Sequence, residues 1–191
     1  MSVIKHKEQR VGVFIDAQNL YHTAKNLFGH KVNFGKIVED AVAGRKLVRA
    51  IAYVIASEAG VEQGFFEALN KAGIETKVKD LQVFSSGAKK ADWDVAIAVD
   101  AITMAPKLDA VVLLSGDGDF IPMVQYLQVH SGIQVEVASF GKSSSQRLVE
   151  EADHFMDLAD SPEKYLIGFH RRRMPRRKAG PKPAAEPKEN S

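Results

Sequence analysis

Two hydrophobic patterns alternate along the chain from Val11 onward. Short apolar runs predict strands at 11–16, 109–117 and 132–140, with a short last one at 154–158, and the β-branched run at 11–16 is expected to be buried. Residues 46–56 predict a further strand with a mixed pattern. Residues 75–84 alternate between apolar and polar positions, which predicts a strand with one polar face. Longer segments between these runs predict helices at 18–28, 33–43, 61–72, 120–130 and 143–152. Strands that alternate with helices indicate an α/β domain with a central, mostly parallel sheet.

Helix ends are marked by residues with known terminal preferences. Asn33 is a good N-cap, and Gly29, Gly44 and Gly73 are suitable stops. Residues 85–91 are expected to form a small, basic loop. A long helix, DWDVAIAVDAITMA, is then expected to begin at Asp92 or Trp93 and to end at Pro106. Because few of its positions are polar, we expect this helix to be largely buried.

The length of 191 residues suits one α/β domain and is short for two. We expect a flexible N-terminus over 1–9, a domain over 10–160, and a C-terminal extension over 161–191. The chain is 45% hydrophobic and 26% charged, which is typical of a soluble protein. It contains no cysteine, which excludes disulfides, thiol nucleophiles and thiolate metal sites. No apolar run approaches a membrane span and the start resembles no secretory signal, so we expect a cytoplasmic protein without membrane contact.

The net charge of +2 is unevenly distributed. Residues 171–191 carry eight basic and two acidic side chains, whereas the rest of the chain carries 18 basic and 22 acidic ones. This tail also has four prolines and few apolar residues, so we expect it to be disordered from about residue 171. It is either an arm attracted to nucleic acid or a solubilising end. The candidate nucleic-acid contacts within it are Arg171, Arg172, Arg173, Arg176 and Arg177.

Acidic residues gather where strands are predicted to end. Asp16 ends the first strand, and Asp117 and Asp119 follow the most apolar one, within Ser-Gly-Asp-Gly-Asp. Asp94 opens the long helix. In an open parallel sheet, ligands bind outside the carboxyl ends of the strands, where the strand order switches. Clustered carboxylates repel one another unless a cation lies among them, and Mg²⁺ or Mn²⁺ prefers such oxygen ligands. The pattern therefore favours metal-assisted phosphodiester hydrolysis.

Each acid also has an ordinary structural interpretation. Asp16, Asp92 and Asp119 could serve as helix N-caps, and Asp94 would benefit from the helix dipole without any metal. For Asp92 we prefer the capping role. Asp117 is the hardest to explain in this way, because it lies at a strand tip between two glycines that permit a sharp turn and close approach of a substrate.

Four segments together resemble a known family. They are FIDAQNLY (14–21), KKADWDVAIAVDA (89–101), LLSGDGDFIPMV (113–124) and GIQVEVASFGKSSSQRLVEEADHF (132–155). They are similar to the NYN domain, in its LabA-like subgroup of the PIN-like nuclease superfamily. The resemblance covers about residues 10–158. It implies a PIN-like three-layer α/β/α sandwich, an acidic pocket holding Mg²⁺ or Mn²⁺, and endoribonuclease activity.

The resemblance also implies site residues. Asp16, Asp94, Asp117 and Asp119 match the acids of the family and are expected to hold the metal, and Asn19 matches the polar residue that orients them. The segment reads Lys-Ala-Asp-Trp-Asp where family members often read Lys-Gly-x-Asp-Val, so Asp92 competes with Asp94, and we expect Asp94 to face the metal. Asp100 matches a further family acid but lies about 240° around the helix from Asp94, so we interpret it as structural.

Weaker candidates for nucleic-acid contact lie near the same edge. They are Lys89, Lys90, Trp93, Lys142 and Ser143. The serine-rich stretch could present backbone N–H groups to phosphate at a helix start, although a solvated loop is the simpler interpretation. Tyr21, His22 and Trp93 could stack on unpaired bases, with core packing the safer interpretation for Trp93.

These observations lead to one function and two alternatives. We expect a metal-dependent ribonuclease, with RNA as substrate, DNA as the second choice of nucleic acid, and a homodimer as one conceivable assembly. A non-catalytic RNA-binding or regulatory module with the same fold is the first alternative. A phosphohydrolase of small phosphate esters is the second, and it is disfavoured because Asp117-Gly118-Asp119 is followed by Phe-Ile rather than by the motif of one common phosphatase class.

Overall fold

The structure of the chain is a computed structural model that describes residues 3–56, 63–80, 82–83, 89–90 and 92–170. For residues 80, 82, 83, 89 and 90 it describes the backbone alone. The predicted basic tail from residue 171, most of the loop at 85–91, and the first two residues of the helix predicted at 61–72 lie outside these ranges.

Ten strands and seven helices follow one another along the described chain. The strands are β1 (Arg10–Asp16), β2 (Lys31–Val32), β3 (Lys46–Ala56), β4 (Glu75–Asp80), β5 (Gln82–Val83), β6 (Lys89–Lys90), β7 (Ala110–Leu114), β8 (Gln134–Ser139), β9 (His154–Asp157) and β10 (Leu166–Ile167). The helices are α1 (Ala17–Phe28), α2 (Phe34–Val42), α3 (Gln63–Lys71), α4 (Asp94–Met104), α5 (Ile121–Ser131), α6 (Gln146–Glu151) and α7 (Pro162–Tyr165).

Six of the strands form one parallel sheet in the order β4-β3-β1-β7-β8-β9. The chain builds outward from β1 in one direction through β3 and β4, and then in the other through β7, β8 and β9. The strand order therefore switches between β1 and β7, and their carboxyl ends meet at the position where α/β sheets form ligand sites. The predicted α/β fold with a parallel sheet is confirmed.

Helices cover both faces of this sheet and form two hydrophobic cores. Residues of α1, α2 and α3 pack against one face, in a core that includes Leu20, Ile37 and Leu69. Residues of α4, α5 and α6 pack against the other face, around Ile97 and Leu127. Successive residues of β1 contribute to opposite cores because side chains alternate along a strand. The result is the expected three-layer arrangement.

Hydrogen bonds confirm two of the predicted helix ends, at Asn33 and Gly29. The Asn33 side chain accepts a hydrogen bond from the backbone N–H of Lys36 (3.1 Å) at the start of α2. Gly29 adopts a left-handed conformation (φ 70°) and donates its backbone N–H to the carbonyl of Lys25, which closes α1. This conformation favours glycine because it lacks a Cβ atom.

The long apolar helix differs from the prediction. In α4 only Ile97 and Ala101 are buried, whereas Val95 and Val99 are 74% and 56% exposed, so the expectation of a largely buried helix was wrong. The helix lies in an outer layer: Ile97 and Ala101, at i and i+4 spacing, pack against the core, and Val95 and Val99 lie on the opposite, exposed face. The positions between these faces are partly buried; they are Ala96, Ala98, Ile102 and Met104. Composition alone does not distinguish these two faces, since both are apolar.

Two segments near strand edges also differ from the predicted pattern. Residues 75–84 do not form one strand: β4 ends at Asp80, and β5 pairs antiparallel with β6 at Lys89–Lys90. Residues 162–167, where no element was predicted, form α7 and β10, and β10 pairs antiparallel with β2. Tyr165 and Leu166 are buried there. Such short pairings depend on distant partners and leave little signal in the local sequence.

Within the described residues, no helix combines the length and hydropathy that a membrane span requires.

Candidate functional site

The carboxyl ends of β1 and β7 are joined by side-chain hydrogen bonds. Asp16, the last residue of β1, accepts a bond from the backbone N–H of Asn19 (3.0 Å) and one from the Ser115 hydroxyl, which follows β7 (3.4 Å). The same Ser115 oxygen accepts the backbone N–H of Asp117 (3.2 Å). Ser115 is fully buried, so it links the two strand ends at the point where the strand order switches.

Asn19 makes two hydrogen bonds at this edge. Its side-chain oxygen accepts the backbone N–H of Gly116 (3.1 Å) and so holds the loop after β7. Its backbone N–H is the group that bonds to Asp16. Asn19 therefore connects the first turn of α1 to the loop that carries Asp117 and Asp119.

The loop from Gly116 to Asp119 is tightly packed. The Asp117 side chain accepts the backbone N–H of Asp119 (3.0 Å) and caps a short 3₁₀ turn over residues 118–120. A Cβ atom at Gly116 would lie 2.8 Å from the Ser139 hydroxyl oxygen, and one at Gly118 would lie 2.8 Å from that of Ser145. Both glycines are thus required by close packing against neighbouring serines.

Asp94 completes an acidic cluster with Asp117 and Asp119. Each of the three offers a carboxylate oxygen, and these oxygens lie within 4.8 Å of one another. Asp94 comes from the first turn of α4, and the other two come from the loop after β7. Asp16 is not one of the three, but its charge acts on Asp94. The structure thus brings three of the four predicted metal ligands together and places the fourth beside them.

The pKa values of two of these acids are raised. Burial and the neighbouring charges of Asp16, Asp117, Asp92 and Asp119 raise the pKa of Asp94 to about 6. Burial also raises the pKa of Asp16, with a smaller contribution from the charge of Asp117, although the bonds from Asn19 and Ser115 oppose it. Negative charge is therefore concentrated here at a cost in free energy that a bound cation would relieve.

The donor set fits a hard divalent cation. Three carboxylates supply oxygen atoms only, which Mg²⁺, Mn²⁺ and Ca²⁺ prefer over nitrogen and sulfur ligands. Asp94 and Asp117 are partly buried and Asp119 is exposed, so water can reach the cluster from one side. The cluster could therefore hold a metal ion.

Two further acids lie at the start of α4 and along it. Asp92 was preferred as an N-cap, but α4 begins at Asp94 and its N-cap residue is Trp93, so that preference was wrong. Asp100 accepts the Tyr53 hydroxyl (2.5 Å) and forms an ion pair with Lys77 (2.5 Å). Burial alone would raise the pKa of Asp100, but these two bonds outweigh it and lower the pKa. Asp100 is a structural residue, as expected.

The weaker nucleic-acid candidates separate into three groups. Trp93 is half-buried, donates its indole N–H to the carbonyl of Val54 (3.1 Å) and packs edge-on against Tyr53, so packing describes it best. Lys142 and Ser143 are exposed on a short 3₁₀ turn. The side chains of Lys89 and Lys90 and the whole of Arg171, Arg172, Arg173, Arg176 and Arg177 lie outside the described residues.

The serine-rich loop does not present the predicted helix start. The helix α6 begins only at Gln146, after a 3₁₀ turn. The backbone N–H groups of Ser143, Ser144 and Ser145 already donate to the carbonyls of Phe140, Gly141 and Gly116. These N–H groups donate to the protein itself, so they are not available to bind phosphate at a helix start, which was the less favoured interpretation of this stretch.

Two features of this edge were missed from the sequence. Ser115 was noted only as the residue where the strand breaks, although its position directly after an apolar run and two residues before Asp117 was the available signal. A groove between α1, α2 and α3 was not predicted, because its walls come from segments far apart in the chain. Tyr21 and His22, which were considered as base-stacking residues, both line it.

Comparisons with known proteins agree on one family. The model of the NYN domain matches residues 10–159. Low amplitude and bright protein LabA of Synechococcus elongatus is 27% identical over 163 residues, which cover 81% of this chain and 86% of LabA. The crystal structure of VPA0982, a protein of unknown function from Vibrio parahaemolyticus, superposes with a TM-score of 0.77 and 31% identity, and covers 86% of this chain and all of that one.

Proposed function

The chain belongs to the NYN domain family of PIN-like nucleases, and from that premise we propose that it is a metal-dependent endoribonuclease. The observation that carries the proposal is the cluster of Asp94, Asp117 and Asp119, whose carboxylate oxygens lie within 4.8 Å of one another at the switch point of the sheet. A site at this position, made of oxygen ligands and reached by solvent, is suited to phosphodiester hydrolysis.

The residues divide into ligands and supports. Asp94, Asp117 and Asp119 hold the cation, and Asp16 adds a fourth negative charge beside them. Ser115 and Asn19 fix the loop that carries Asp117 and Asp119 relative to the end of β1. When bound, Mg²⁺ or Mn²⁺ neutralises the phosphoryl oxygens and makes water a competent nucleophile at neutral pH.

RNA is the proposed substrate because the chain resembles a family of endoribonucleases within the PIN-like superfamily. The basic residues from Arg171 to Arg177 are proposed to raise affinity for the polyanion. If so, deleting 171–191 weakens binding and reduces its dependence on salt concentration, and leaves the acidic cluster untouched.

The test is cleavage of labelled single-stranded RNA and DNA by the full chain in Mn²⁺, Mg²⁺ or EDTA, with the variant Asp117→Asn alongside. Asp117→Asn keeps the side-chain oxygen that caps the turn but removes one negative ligand. We expect cleavage to fall by at least about 100-fold, since even the loss of outer partners of a metal site typically costs about 10–100-fold. Circular dichroism and thermal unfolding show that the variant is folded.

Asp109→Asn is the matched control. Asp109 is an acid at the opposite end of β7 and bonds to Arg10, so its change alters the charge of the same strand without touching the cluster. We expect it to cleave like the wild type. Metal-dependent cleavage that survives in Asp117→Asn would overturn the assignment. Binding of RNA with no cleavage in any metal would instead favour the non-catalytic RNA-binding module.

A further inference from the structure

A groove is lined by the residues that directly follow Asp16, the acid at the end of β1 whose charge acts on the acidic cluster. It lies between α1, α2 and α3 and the end of β3, and has a volume of about 880 Å³. This is within the range of roughly 300–1,000 Å³ that is usual for ligand sites. We propose that this groove binds an unpaired base of the nucleic-acid strand whose backbone crosses the acidic cluster; this inference rests on the proposed function.

The floor of the groove is apolar and aromatic. Phe34 and Leu69 are buried there, Phe65 is partly buried and meets Phe34 edge to face (ring centroids 5.9 Å apart), and Val54 and Ile55 close the base. Flat apolar surfaces of this kind suit the face of a nucleobase, which stacks on aromatic side chains without regard to its sequence.

The sides of the groove are more polar. Tyr21, 37% exposed, and the adjacent His22 stand on the α1 side, with their rings in edge contact at 5.5 Å. These residues offer an aromatic wall that also carries hydrogen-bonding groups. An unpaired base presents both a stacking face and polar edges, so this combination matches it better than it matches a purely apolar ligand.

The charged residues of the lining are predominantly basic. Of the described residues that line the groove, Lys31, Lys36 and Lys71 are basic and Glu39 is acidic. Lys36 is held in place by ion pairs with Glu39 (2.8 Å) and Asp40 (3.3 Å). An excess of positive charge around an apolar floor complements a nucleotide, in which a neutral base is attached to a phosphate. It contrasts with the acidic cluster, which requires a cation between protein and phosphate.

The chain itself connects the groove to the cluster. Asp16 lies beside the acidic cluster, and the next two residues, Ala17 and Gln18, line the groove. Asp16 pairs with Tyr53 in the sheet, so the groove residue Val54 follows directly on the neighbouring strand. A strand whose phosphate lies at the cluster therefore reaches the groove by passing over the end of β1. The groove would then select single-stranded over paired substrate, because a paired base cannot enter it.

The experiment fills the groove without removing any contact. Ala68 is an exposed residue of α3 that lines the groove, so Ala68→Trp places an indole inside it. Asn70→Trp is the matched control, since residue 70 is exposed on the same helix, about 200° around from residue 68, and does not line the groove. Thermal unfolding shows whether both variants are folded.

The probe is a fluorescein-labelled single-stranded RNA octamer, titrated by anisotropy with the full chain in Ca²⁺, a cation that also prefers oxygen ligands. Electrophoresis of each sample after the titration shows whether the octamer is intact. A second set of octamers carries one abasic position, moved along the strand. We expect wild type and Asn70→Trp to bind the intact octamer about tenfold more tightly than the octamer that is abasic at one particular position. Ala68→Trp is expected to bind both octamers equally weakly.

Discrimination that survives in Ala68→Trp, equal binding of all octamers by the wild type, or no binding at all would each overturn the proposal. Displacement of the octamer by a free nucleoside monophosphate at lower concentration than by unlabelled octamer would also overturn it, because the groove would then serve mononucleotides. Since electrophoresis identifies the intact octamer, the binding result is read separately from cleavage. A failed Asp117→Asn test and a failed groove test can therefore be distinguished.

Discussion

The acidic residues at the two ends of the parallel sheet differ in whether they form ion pairs with basic side chains. Near the amino-terminal ends of the strands, Glu136 is buried but paired with Arg45 (2.5 Å) and Lys5 (2.7 Å), and Asp109 is paired with Arg10 (2.7 Å). At the carboxyl ends, the described part of the chain gives Asp16, Asp94, Asp117 and Asp119 no ion pair with a basic side chain.

The pKa shifts follow this difference. Burial alone would raise the pKa of Glu136, but the bonds from Arg45 and Lys5 lower it, and the bonds from Arg10 lower the pKa of Asp109 to about 2. The pKa of Asp94 rises to about 6 because burial and four other acids act on it together. Glu136 and Asp109 therefore stabilise the folded state when they are ionised, whereas ionised Asp16 and Asp94 destabilise it. A contribution to folding stability therefore explains Glu136 and Asp109, and it does not explain Asp16 and Asp94.

Removing Arg45 should have the largest effect on stability. Its side chain is fully buried and also donates to the carbonyls of Ala41 and Val42, so Arg45→Met leaves the buried Glu136 with Lys5 as its remaining basic partner. Breaking a buried pair in this way costs about 3–5 kcal/mol of unfolding free energy. Urea denaturation of Arg45→Met and the wild type at pH 7 measures this difference in unfolding free energy. The double variant Arg45→Met with Glu136→Leu should recover much of the loss, and a single variant as stable as the wild type would refute the contrast between the two ends.

The acidic cluster should show the opposite response to pH and metal. The folded-state pKa of Asp94 is above its ordinary value of 3.8, so its protonated form stabilises the fold at low pH, and this stabilisation is lost as the pH rises through about 6. In EDTA, the unfolding midpoint of the wild type should therefore fall as the pH rises from about 4 to about 7, and this fall should be smaller in Asp94→Asn.

Manganese should reverse the effect in the wild type. A cation at 100 times its Kd stabilises the fold by about 2.7 kcal/mol. We expect a stabilisation of this order at pH 8, a smaller one at pH 5, where Asp94 must first lose its proton, and a much smaller one in Asp94→Asn. Thermal unfolding with and without Mn²⁺ provides the measurement. Equal stabilisation of both proteins at both pH values would show that Asp94 is not a ligand.

The exposed pair at the other end should matter least. Arg10 and Asp109 are each nearly half exposed, and exposed ion pairs contribute little because water and salt screen them. Arg10→Gln should shift the urea midpoint at pH 7 by an amount near the resolution of the titration. Because the pKa of Asp109 is lowered to about 2, even this contribution should disappear as the pH falls from about 4 to 2. A large decrease in the urea midpoint of Arg10→Gln at pH 7 would contradict this prediction and show that the exposed pair contributes substantially to stability.

The central strands and most helices were predictable because their signals are local. Apolar runs place β1, β3, β7 and β8, and caps such as Asn33 and Gly29 place helix ends, since each depends on residues within one or two turns. The pairing of β10 with β2 joins segments more than 130 residues apart, so no local sequence pattern predicts it. The outward face of α4 was mistaken for a buried one for a related reason: an apolar residue does not reveal which layer its helix occupies.

The candidate site also combines residues that local sequence patterns predict with residues whose place depends on distant contacts. The strand ends singled out Asp16, Asp117 and Asp119, because parallel strands deliver their carboxyl ends to one edge. Whether Asp92 or Asp94 joins them depends on where α4 begins. That point is fixed by Trp93, whose indole N–H bonds to the carbonyl of Val54 and whose ring packs on Tyr53, both from β3.

The sequence by itself determined the layered α/β fold, the family, and the acids that belong to the carboxyl edge, because hydrophobic period, caps and motif order are properties of short segments. Only the tertiary structure decided that Asp94, Asp117 and Asp119 meet, that Ser115 and Asn19 tie their supports together, and that a basic, aromatic groove opens beside them. Distances of a few ångströms between residues 20 to 100 positions apart depend on strand order and helix packing. The free energy of a buried charge depends on those distances.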